Sequence, residues 1–268
     1  MSFADPLTQI EAIIILAAIA LISLKFKLLD RGGIIASLPI GYVILTLASV
    51  QHFAILLTFF AVSGLVTKIR VKQIGEELVE KNWIRSWRNV IANGFAPMSI
   101  ILVAELAPSW RSLLAVSGYL GAIGTAFADT LATEIGLLYP RDPRLITNFR
   151  RVKRGTPGAV SPYGYLGGTA AALITCGLAY AFKFQNQLLL LITFASSIIG
   201  MTVDSALGAT IQAKYRCNVC GKLTESSHHC GKAAEKIAGI RMIDTHAVNL
   251  ISTTIGALTA IALTITLA

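Results

Sequence analysis

The sequence has 268 residues, of which 54% are hydrophobic and 14% charged, and its mean hydropathy is +0.68. This is more apolar surface than a soluble domain of the same size can bury, so the composition indicates a polytopic membrane protein. The formal net charge is +9, but the basic residues stand in loops between apolar runs, which favours membrane topology over nucleic-acid binding.

Eight apolar runs are each about long enough to cross, or nearly cross, ~30 Å of hydrocarbon. The runs comprise residues 10–24, 34–50, 52–67, 90–106, 112–129, 164–182, 187–204 and 246–267. They predict an all-α, polytopic transmembrane bundle of about eight helices, built as one transmembrane domain that covers residues 1–268. Since the second and third runs nearly touch, one hairpin broken at residues 50–52 is the alternative there.

The basic residues predict the orientation of the bundle. Loops 25–33, 68–89, 137–163 and 205–245 hold 21 of the 23 Lys and Arg residues. The positive-inside rule therefore predicts that these four loops are cytoplasmic and that both termini lie outside. We accordingly expect a multi-pass membrane protein whose active site faces the cytoplasm.

The loop after the fifth run combines acids, cations and glycines. Asp129 and Glu134 stand near the end of that run, where a carboxylate is costly unless it meets a cation, a metal or water. The arginines that follow offer forked donors that match phosphate, and the glycines free backbone N–H groups to face an anion. The basic and glycine positions include Arg141, Arg144, Arg150, Arg151, Lys153, Arg154, Gly155 and Gly158. The loop therefore predicts a metal and phosphate site.

Small residues precede an acid on two helices that run in the same direction. One helix face carries Gly121, Thr125, Asp129 and Thr133, and the other carries Ser196, Gly200, Asp204, Gly208 and Gln212. Small residues let two backbones approach, so we expect Asp129 and Asp204 to reach the same level and share a Mg²⁺ ion. The alternative for each acid is a helix cap or a partner for a loop arginine.

Three of the four cysteines stand in a basic loop at residues 214–241, which we name the cysteine loop. A CxxC pair followed, ten residues after its second cysteine, by a His-Cys pair can close a tetrahedral zinc site. We expect Cys217, Cys220, Cys230 and one histidine, taken as His229 with His228 as the alternative, to bind structural zinc. A loop of reduced thiols without metal is the competing interpretation.

Four motifs resemble the integral-membrane phytyl-phosphate kinases (prenyl-phosphate kinases) of vitamin E and prenyl salvage. They are ADTLATEIG at 128–136, GTPGAVSPYGYLGG at 155–168, DSALGATIQAKY at 204–215 and DTHAVN at 244–249. The resemblance is strongest from Arg88 to Gly256, and many relatives of this family are uncharacterised. It implies transfer of a phosphoryl group from CTP, or another nucleoside triphosphate, to an isoprenoid monophosphate such as phytyl or geranylgeranyl phosphate. The competing class is a lipid or small-molecule transporter or flippase.

The residues and the resemblance together give the predicted site. Catalytic roles are expected for Asp129, Glu134, Asp204, Lys153 and Arg154, with Mg²⁺ on the two aspartates. Contacts to CTP or to the prenyl phosphate are expected for Thr130, Asn148, Arg151, Gly155, Thr156, Gly158, Ser161, Ser205, Gly208, Gln212 and Asn249. Asn249 has an interhelical hydrogen bond as its alternative role. The chain departs from the family pattern at Leu131, Pro157, Thr245 and His246.

The predicted chemistry fits this set of residues. Transfer onto a phosphate monoester needs no strong general base, because the acceptor oxygen is already anionic; it needs charge neutralisation and in-line positioning. Neither a P-loop nor a dinucleotide-binding fingerprint occurs in the sequence. The expected partners are membrane lipids, an isoprenoid monophosphate and a nucleoside triphosphate, without nucleic acid, and a homodimer is left open.

Overall fold

The computed structural model describes residues 6–74, 84–107, 113–184 and 186–267. Within these ranges, eight helical spans are long and apolar enough to cross a membrane. They are α1 (Pro6–Lys25), α2 (Arg31–Val43), α3 (Val50–Ile74), α4 (Trp87–Leu106), α5 (Leu113–Gly136), α6 (Pro162–Ala181), α7 (Gln187–Thr210) and α8 (Thr245–Leu267). A π-helical turn, Ile44–Ala48, extends α2 to complete the second span. The predicted all-α transmembrane bundle is confirmed.

The connections α1–α2, α3–α4, α5–α6 and α7–α8 lie together at one end of the bundle, which we name the loop end. The N–H of Asp30 donates to the carbonyl of Arg85 at 3.1 Å, which joins the first two connections. Arg88 and Asp244, at 3.8 Å, link the second connection to the fourth. The charge pattern predicted this shared end, and its cytoplasmic location stays a prediction of the positive-inside rule.

The break between α2 and α3 lies one residue before the predicted position. Ser49 has an extended backbone, with φ of −169° and ψ of 167°, and residues 50–52 already belong to α3. The hydroxyl of Ser49 accepts from the N–H of His52 at 3.4 Å and lies 2.7 Å from Nδ1 of the same residue. The side chain of Ser49 therefore caps α3, so that one extended residue is enough to separate it from the preceding helix.

Helix α5 is the centre of the bundle, because it packs against α3, α4, α6, α7 and α8. Small residues allow these close approaches. A Cβ at Gly124 would overlap the hydroxyl of Ser197 on α7, and one at Gly121 would lie 2.6 Å from the Cβ of Ala260 on α8. Close backbone approach of this kind is a main source of helix association in lipid, where helices gain little from burying apolar surface.

Three helices extend further toward the loop end than the apolar runs predicted. Helix α3 continues to Ile74 instead of residue 67, α5 to Gly136 instead of 129, and α7 to Thr210 instead of 204. The charged side chains near these ends lower the local hydropathy, but packing against neighbouring helices preserves the helical turns. Asp129, Glu134 and Asp204 therefore lie inside helices.

Short strands form in two of the loop-end connections. In the α5–α6 connection, β1 (Arg144–Leu145) pairs with β2 (Ala159–Val160). In the α7–α8 connection, β3 (Lys214–Arg216) lies between β4 (Leu223–Thr224) and β7 (Glu235–Ala238), and β5 (His228–His229) pairs with β6 (Lys232–Ala233). All of these pairs are antiparallel. The sheets give both connections a fixed shape above the helix ends.

Candidate functional site

A cavity opens at the loop end, among α5, α6, α7, α8 and the glycine loop at 154–158. Many of the residues that the sequence predicted line it. They are Asp129, Arg154, Gly155, Thr156, Gly158, Ser161, Asp204, Ser205, Gly208, Gln212 and Asn249. The structure thus brings together acids, a cation, glycines and amides from distant parts of the sequence. We name this space the candidate cavity.

The packing of α5 against α7 explains why both aspartates reach the candidate cavity. A Cβ at Gly121 would lie 3.2 Å from the hydroxyl of Ser196, and Thr125 donates to the carbonyl of Ser196 at 3.3 Å. One turn further, a Cβ at Gly200 would overlap the side chain of Thr125. Because both helices run toward the loop end, the next turn of each carries Asp129 and Asp204.

A residue of α8 orients the second aspartate. The hydroxyl of Ser252, which is buried, donates to Oδ2 of Asp204 at 2.7 Å. Helix α8 can approach because a Cβ at Gly256 would overlap the hydroxyl of Thr125. The bond holds the carboxylate on the side of α7 that faces α8, near Asn249, which also lines the candidate cavity.

The glycine loop lies directly on the backbone of α7. Gly155 and Gly158 have φ of 81° and 79°, a conformation that other residues adopt only at a cost. A Cβ at Gly158 would overlap the backbone of Ala209, so a side chain there would lift the loop from the helix. Thr156 donates to the carbonyl of Lys153 through its N–H at 3.2 Å and its hydroxyl at 2.7 Å. This turn places half-buried Arg154 in the wall of the candidate cavity.

Helix α6 begins at the candidate cavity. Ser161 caps it by accepting from the N–H of Gly164 at 3.1 Å, and Pro162 occupies the first helical position. A Cβ at Gly164 would lie 3.1 Å from the carbonyl of Ala132, so α6 and α5 are in close contact here. The positive end of the helix dipole therefore lies beside the arginine and favours anions.

In the described part of the chain, Gln212 carries an unpaired, buried hydrogen-bond donor in the wall of the candidate cavity. Its side chain is only 4% exposed and lines the cavity, and its Nε2 has no hydrogen-bond partner among the described residues. A buried donor without an acceptor costs about 1–3 kcal/mol. A phosphate or nucleotide oxygen would remove this cost, so the residues present fit an anionic, oxygen-rich ligand together with a hard cation.

The structure does not bring every predicted residue to the candidate cavity. Asn148, Arg151 and Lys153 are exposed on the α5–α6 connection, where Asn148 accepts from the N–H of Arg150 at 3.1 Å. Thr130 donates back to the carbonyl of Ala126 at 2.8 Å within α5. These four residues lie near the cavity in sequence, but they are not among those that line it.

Glu134 faces α3 instead of the candidate cavity. Its carboxylate accepts from Nε of Arg70 at 2.8 Å and from the hydroxyl of Thr67 at 3.0 Å. Arg70 is fully buried, and its two terminal nitrogens have no hydrogen-bond partner within the described part of the chain. Burial lowers the pKa of nearby Arg85 to about 10, against the opposing charge of Glu134. Glu134 thus compensates buried positive charge between α3 and α5.

Comparison with known proteins gives the family. The family described as Integral membrane protein DUF92 matches residues 14–257. The chain belongs to this family. Protein PGR of Arabidopsis thaliana is 30% identical over 271 residues, which cover 91% of this chain and 91% of that protein.

Two other members are informative. The Uncharacterized membrane protein MJ0933 of Methanocaldococcus jannaschii is 32% identical over 203 residues, which cover 76% of this chain and 83% of that protein. Protein VTE6, chloroplastic, of Arabidopsis thaliana is 26% identical over 193 residues, which cover 69% of this chain and 57% of that protein. No solved structure matches the chain. The resemblance drawn from the motifs is confirmed at the level of the family, and the chain is an integral, multi-pass membrane protein.

Several residues of the present chain line or support the candidate cavity, although the sequence analysis did not predict them as site residues. Thr133 extends the face that carries Asp129, so its position followed from the helical period. The hydroxyls of Tyr165 and Thr202 lie 3.2 Å apart across α6 and α7, and Tyr165 lines the cavity. Glu225 comes from the cysteine loop, and only the folded loop places it at the cavity.

The four predicted zinc ligands lie together in the cysteine loop. One ligand atom from each of Cys217, Cys220, His229 and Cys230 lies within 4.8 Å of all the others. His228 is not part of this group, and its Nδ1 lies 3.2 Å from the hydroxyl of Ser227. Cys176 is also separate, in α6, with its thiol 3.4 Å from the carbonyl of Leu190.

Proposed function

We propose that the protein is a membrane kinase that transfers the terminal phosphoryl group of CTP, or another nucleoside triphosphate, to an isoprenoid monophosphate. The observation that carries this proposal is the meeting of Asp129, Asp204 and Arg154 in one cavity beside the capped start of α6. The motif resemblance to phytyl-phosphate kinases and the 26% identity to Protein VTE6 support a prenyl phosphate as acceptor.

The cavity residues divide the work by charge. Asp129 and Asp204 would hold Mg²⁺, which neutralises phosphate charge as it shifts during transfer. Ser252 keeps the carboxylate of Asp204 in place. Arg154, the N–H groups of the glycine loop and the start of α6 bind phosphate oxygens, and Gln212 donates Nε2 to a ligand oxygen. No side chain has to act as a base, because the acceptor phosphate carries its own nucleophilic oxygen.

The depth of the acids favours a kinase over a transporter. Asp129 and Asp204 stand about two helical turns from the loop-end termini of α5 and α7. Transporters place their ion and substrate groups near the bilayer midplane, where both sides have access. A site near one end suits a lipid whose phosphate stays at the membrane surface. The isoprenoid chain would enter beside α6, where Tyr165 lines the cavity and the neighbouring Leu166 is exposed.

The proposal is tested with purified protein in lipid nanodiscs, labelled CTP, Mg²⁺ and a panel of prenyl monophosphates. Wild-type protein should form a labelled prenyl diphosphate. Asp129→Asn and Asp204→Asn should each lower turnover at least ~10²-fold, because each removes a ligand of the same ion. Asp142→Asn, which changes an exposed acid of the α5–α6 connection, is the matched control and should keep wild-type turnover.

A double mutant separates a shared ion from two independent roles. If both aspartates hold one ion, Asp129→Asn/Asp204→Asn should be scarcely worse than either single variant. Multiplicative losses would argue against a shared ion. Failure to transfer phosphate from any nucleoside triphosphate to any prenyl monophosphate, by protein with a normal thermal unfolding transition, would contradict the proposed function.

A further inference from the structure

The cysteine loop forms a compact cluster of thiols around one imidazole. Nδ1 of His229 lies 3.5 Å from Sγ of Cys220 and 3.2 Å from Sγ of Cys230. Sγ of Cys217 completes the group, whose ligand atoms all lie within 4.8 Å of one another. Three sulfurs and one imidazole nitrogen at this spacing form the donor set of a closed, tetrahedral site.

Two tight turns aim the thiols at a common point. Gly221, with φ of 69°, follows Cys220 directly. Cys230 and Gly231, with φ of 51° and 72°, form the two-residue turn between β5 and β6. A turn with two positive φ angles favours glycine, and a cysteine accepts that conformation only at a cost. Placing the thiol of Cys230 in the cluster therefore costs conformational energy in the backbone.

Backbone N–H groups also donate to one of the thiols. The N–H groups of Cys220 and Val219 lie 3.5 Å and 3.3 Å from Sγ of Cys217 and donate to it. Donors directed at a sulfur stabilise the negative charge that a metal-bound thiolate carries.

We propose that Cys217, Cys220, His229 and Cys230 bind one zinc ion, and that this ion holds the cysteine loop against the candidate cavity. The strands of the loop are two to four residues long, and most of their side chains are exposed. Strands this short do not hold a fold without a further constraint. In small metal-binding units, zinc supplies that missing folding energy.

The cysteine loop is joined to the cavity through the end of α7. The N–H of Ala213 donates to the carbonyl of Ile243 at 2.8 Å, and the N–H of Ile240 donates to Ile211 at 2.9 Å. A Cβ at Gly239 would overlap the carbonyl of Gln212, so the two backbones are in direct contact. The zinc-bound loop therefore stabilises the position of Gln212, whose side chain lines the candidate cavity.

A second connection runs through β4. Thr224 pairs with Tyr215 of β3, and both side chains are buried. The next residue, Glu225, lines the candidate cavity. Loss of zinc would release β4 and with it Glu225. This coupling to ligand binding rests on the proposed function, whereas the zinc site itself does not.

The metal is tested first, on full-length protein purified with a tag that contains no histidine and without added metal. Elemental analysis should find about one zinc per chain. Cys217→Ser and Cys230→Ser should lose the metal, whereas Cys176→Ser and His228→Gln, the matched controls, should keep it. His229→Gln should lower the zinc content below that of His228→Gln. Wild-type protein without zinc, or with iron in its place, would overturn the proposal.

The second measurement needs no variant and so does not depend on the folding of mutants. A zinc-selective chelator that leaves Mg²⁺ in solution should raise hydrogen exchange at residues 214–241 while α5 stays protected. Unchanged exchange after complete zinc removal would contradict a structural role for the ion.

Binding of Mg²⁺-CTP, measured before and after chelation, tests the coupling. Its affinity should fall severalfold. If chelation leaves the CTP affinity of zinc-loaded protein unchanged, the coupling is refuted. If zinc-loaded protein binds no nucleotide at all, the proposed function is refuted but the zinc site is not.

Discussion

The substitution Gly200→Ala tests whether close contact between α5 and α7 positions the two aspartates. A Cβ at residue 200 would overlap the hydroxyl of Thr125 and lie 2.9 Å from its Cβ, whereas ordinary contacts measure 3.4–4 Å. Thr125 is fully buried and β-branched, so it has little freedom to turn away. Cγ2 of Thr125 would be closer still, at 2.5 Å, so the two helices must separate by about 0.9–1.5 Å, the difference between this distance and an ordinary contact.

This separation should have two measurable effects. Overpacking in a close-packed interior costs about 1–3 kcal/mol, which lowers the thermal unfolding temperature in detergent. A displacement of about 1 Å in a reacting group can cost 10²-fold in rate, so kcat for phosphoryl transfer should fall about 10- to 10²-fold. The assay is transfer of label from CTP to a prenyl monophosphate at saturating concentrations of both.

Gly177→Ala is the matched control, because a Cβ there meets nothing within 4 Å. It should leave turnover unchanged and raise stability by up to ~1 kcal/mol, the helix-propensity difference between the two residues. If Gly200→Ala keeps both wild-type turnover and wild-type stability, the packing argument is wrong. Lower stability with unchanged turnover would show that this contact holds the bundle without positioning the acids.

Three further substitutions give separate tests. Glu134→Gln should destabilise the protein by about 3–5 kcal/mol in thermal unfolding, because it leaves the charge of buried Arg70 unpaired. Arg88→Gln, at an exposed ion pair, should cost less than ~1 kcal/mol. Equal effects of the two substitutions would contradict the assigned pairing. Arg154→Ala should raise KM for the nucleotide more than it lowers kcat. A loss that does not shrink at higher ionic strength would argue against a phosphate contact that solvent can screen. Gln212→Leu should leave the stability of the protein without ligand equal to or higher than that of wild type, and it should reduce the additional stability that bound nucleotide provides. If nucleotide stabilises the variant as much as wild type, this residue does not belong to the site.

The sequence predicted the features that depend on local pattern. Long apolar runs indicated eight spans, because crossing a bilayer demands them. The four-residue spacing of small residues before Asp129 and Asp204 indicated which helix faces meet, since Thr125 and Gly200 do contact each other. The cysteine spacing indicated a cluster, and the structure places Cys217, Cys220 and Cys230 within one.

Features that depend on distant partners escaped the sequence. Arg70 stood in a predicted loop because a charged residue lowers hydropathy, yet it pairs with Glu134 inside the bundle, 64 positions away. The same limit applies to Ser252 and Asp204, which are 48 positions apart. A hydropathy profile treats every charge as exposed, and only tertiary structure shows which charges compensate one another.

The burial of α5 has a consequence for biogenesis. In an 18-residue apolar segment of α5, 72% of the residues are buried inside the protein, against 22–39% in the corresponding segments of the other seven spans. During synthesis α5 enters the membrane before α6, α7 and α8 exist. Until those helices are inserted, the face of α5 that carries Gly121, Thr125 and Asp129 contacts lipid or the insertion machinery. A nascent chain that stops after α5 presents an intramembrane carboxylate to hydrocarbon, which is energetically costly. The acidic centre of the bundle is thus assembled last, when α8 docks and Ser252 reaches Asp204.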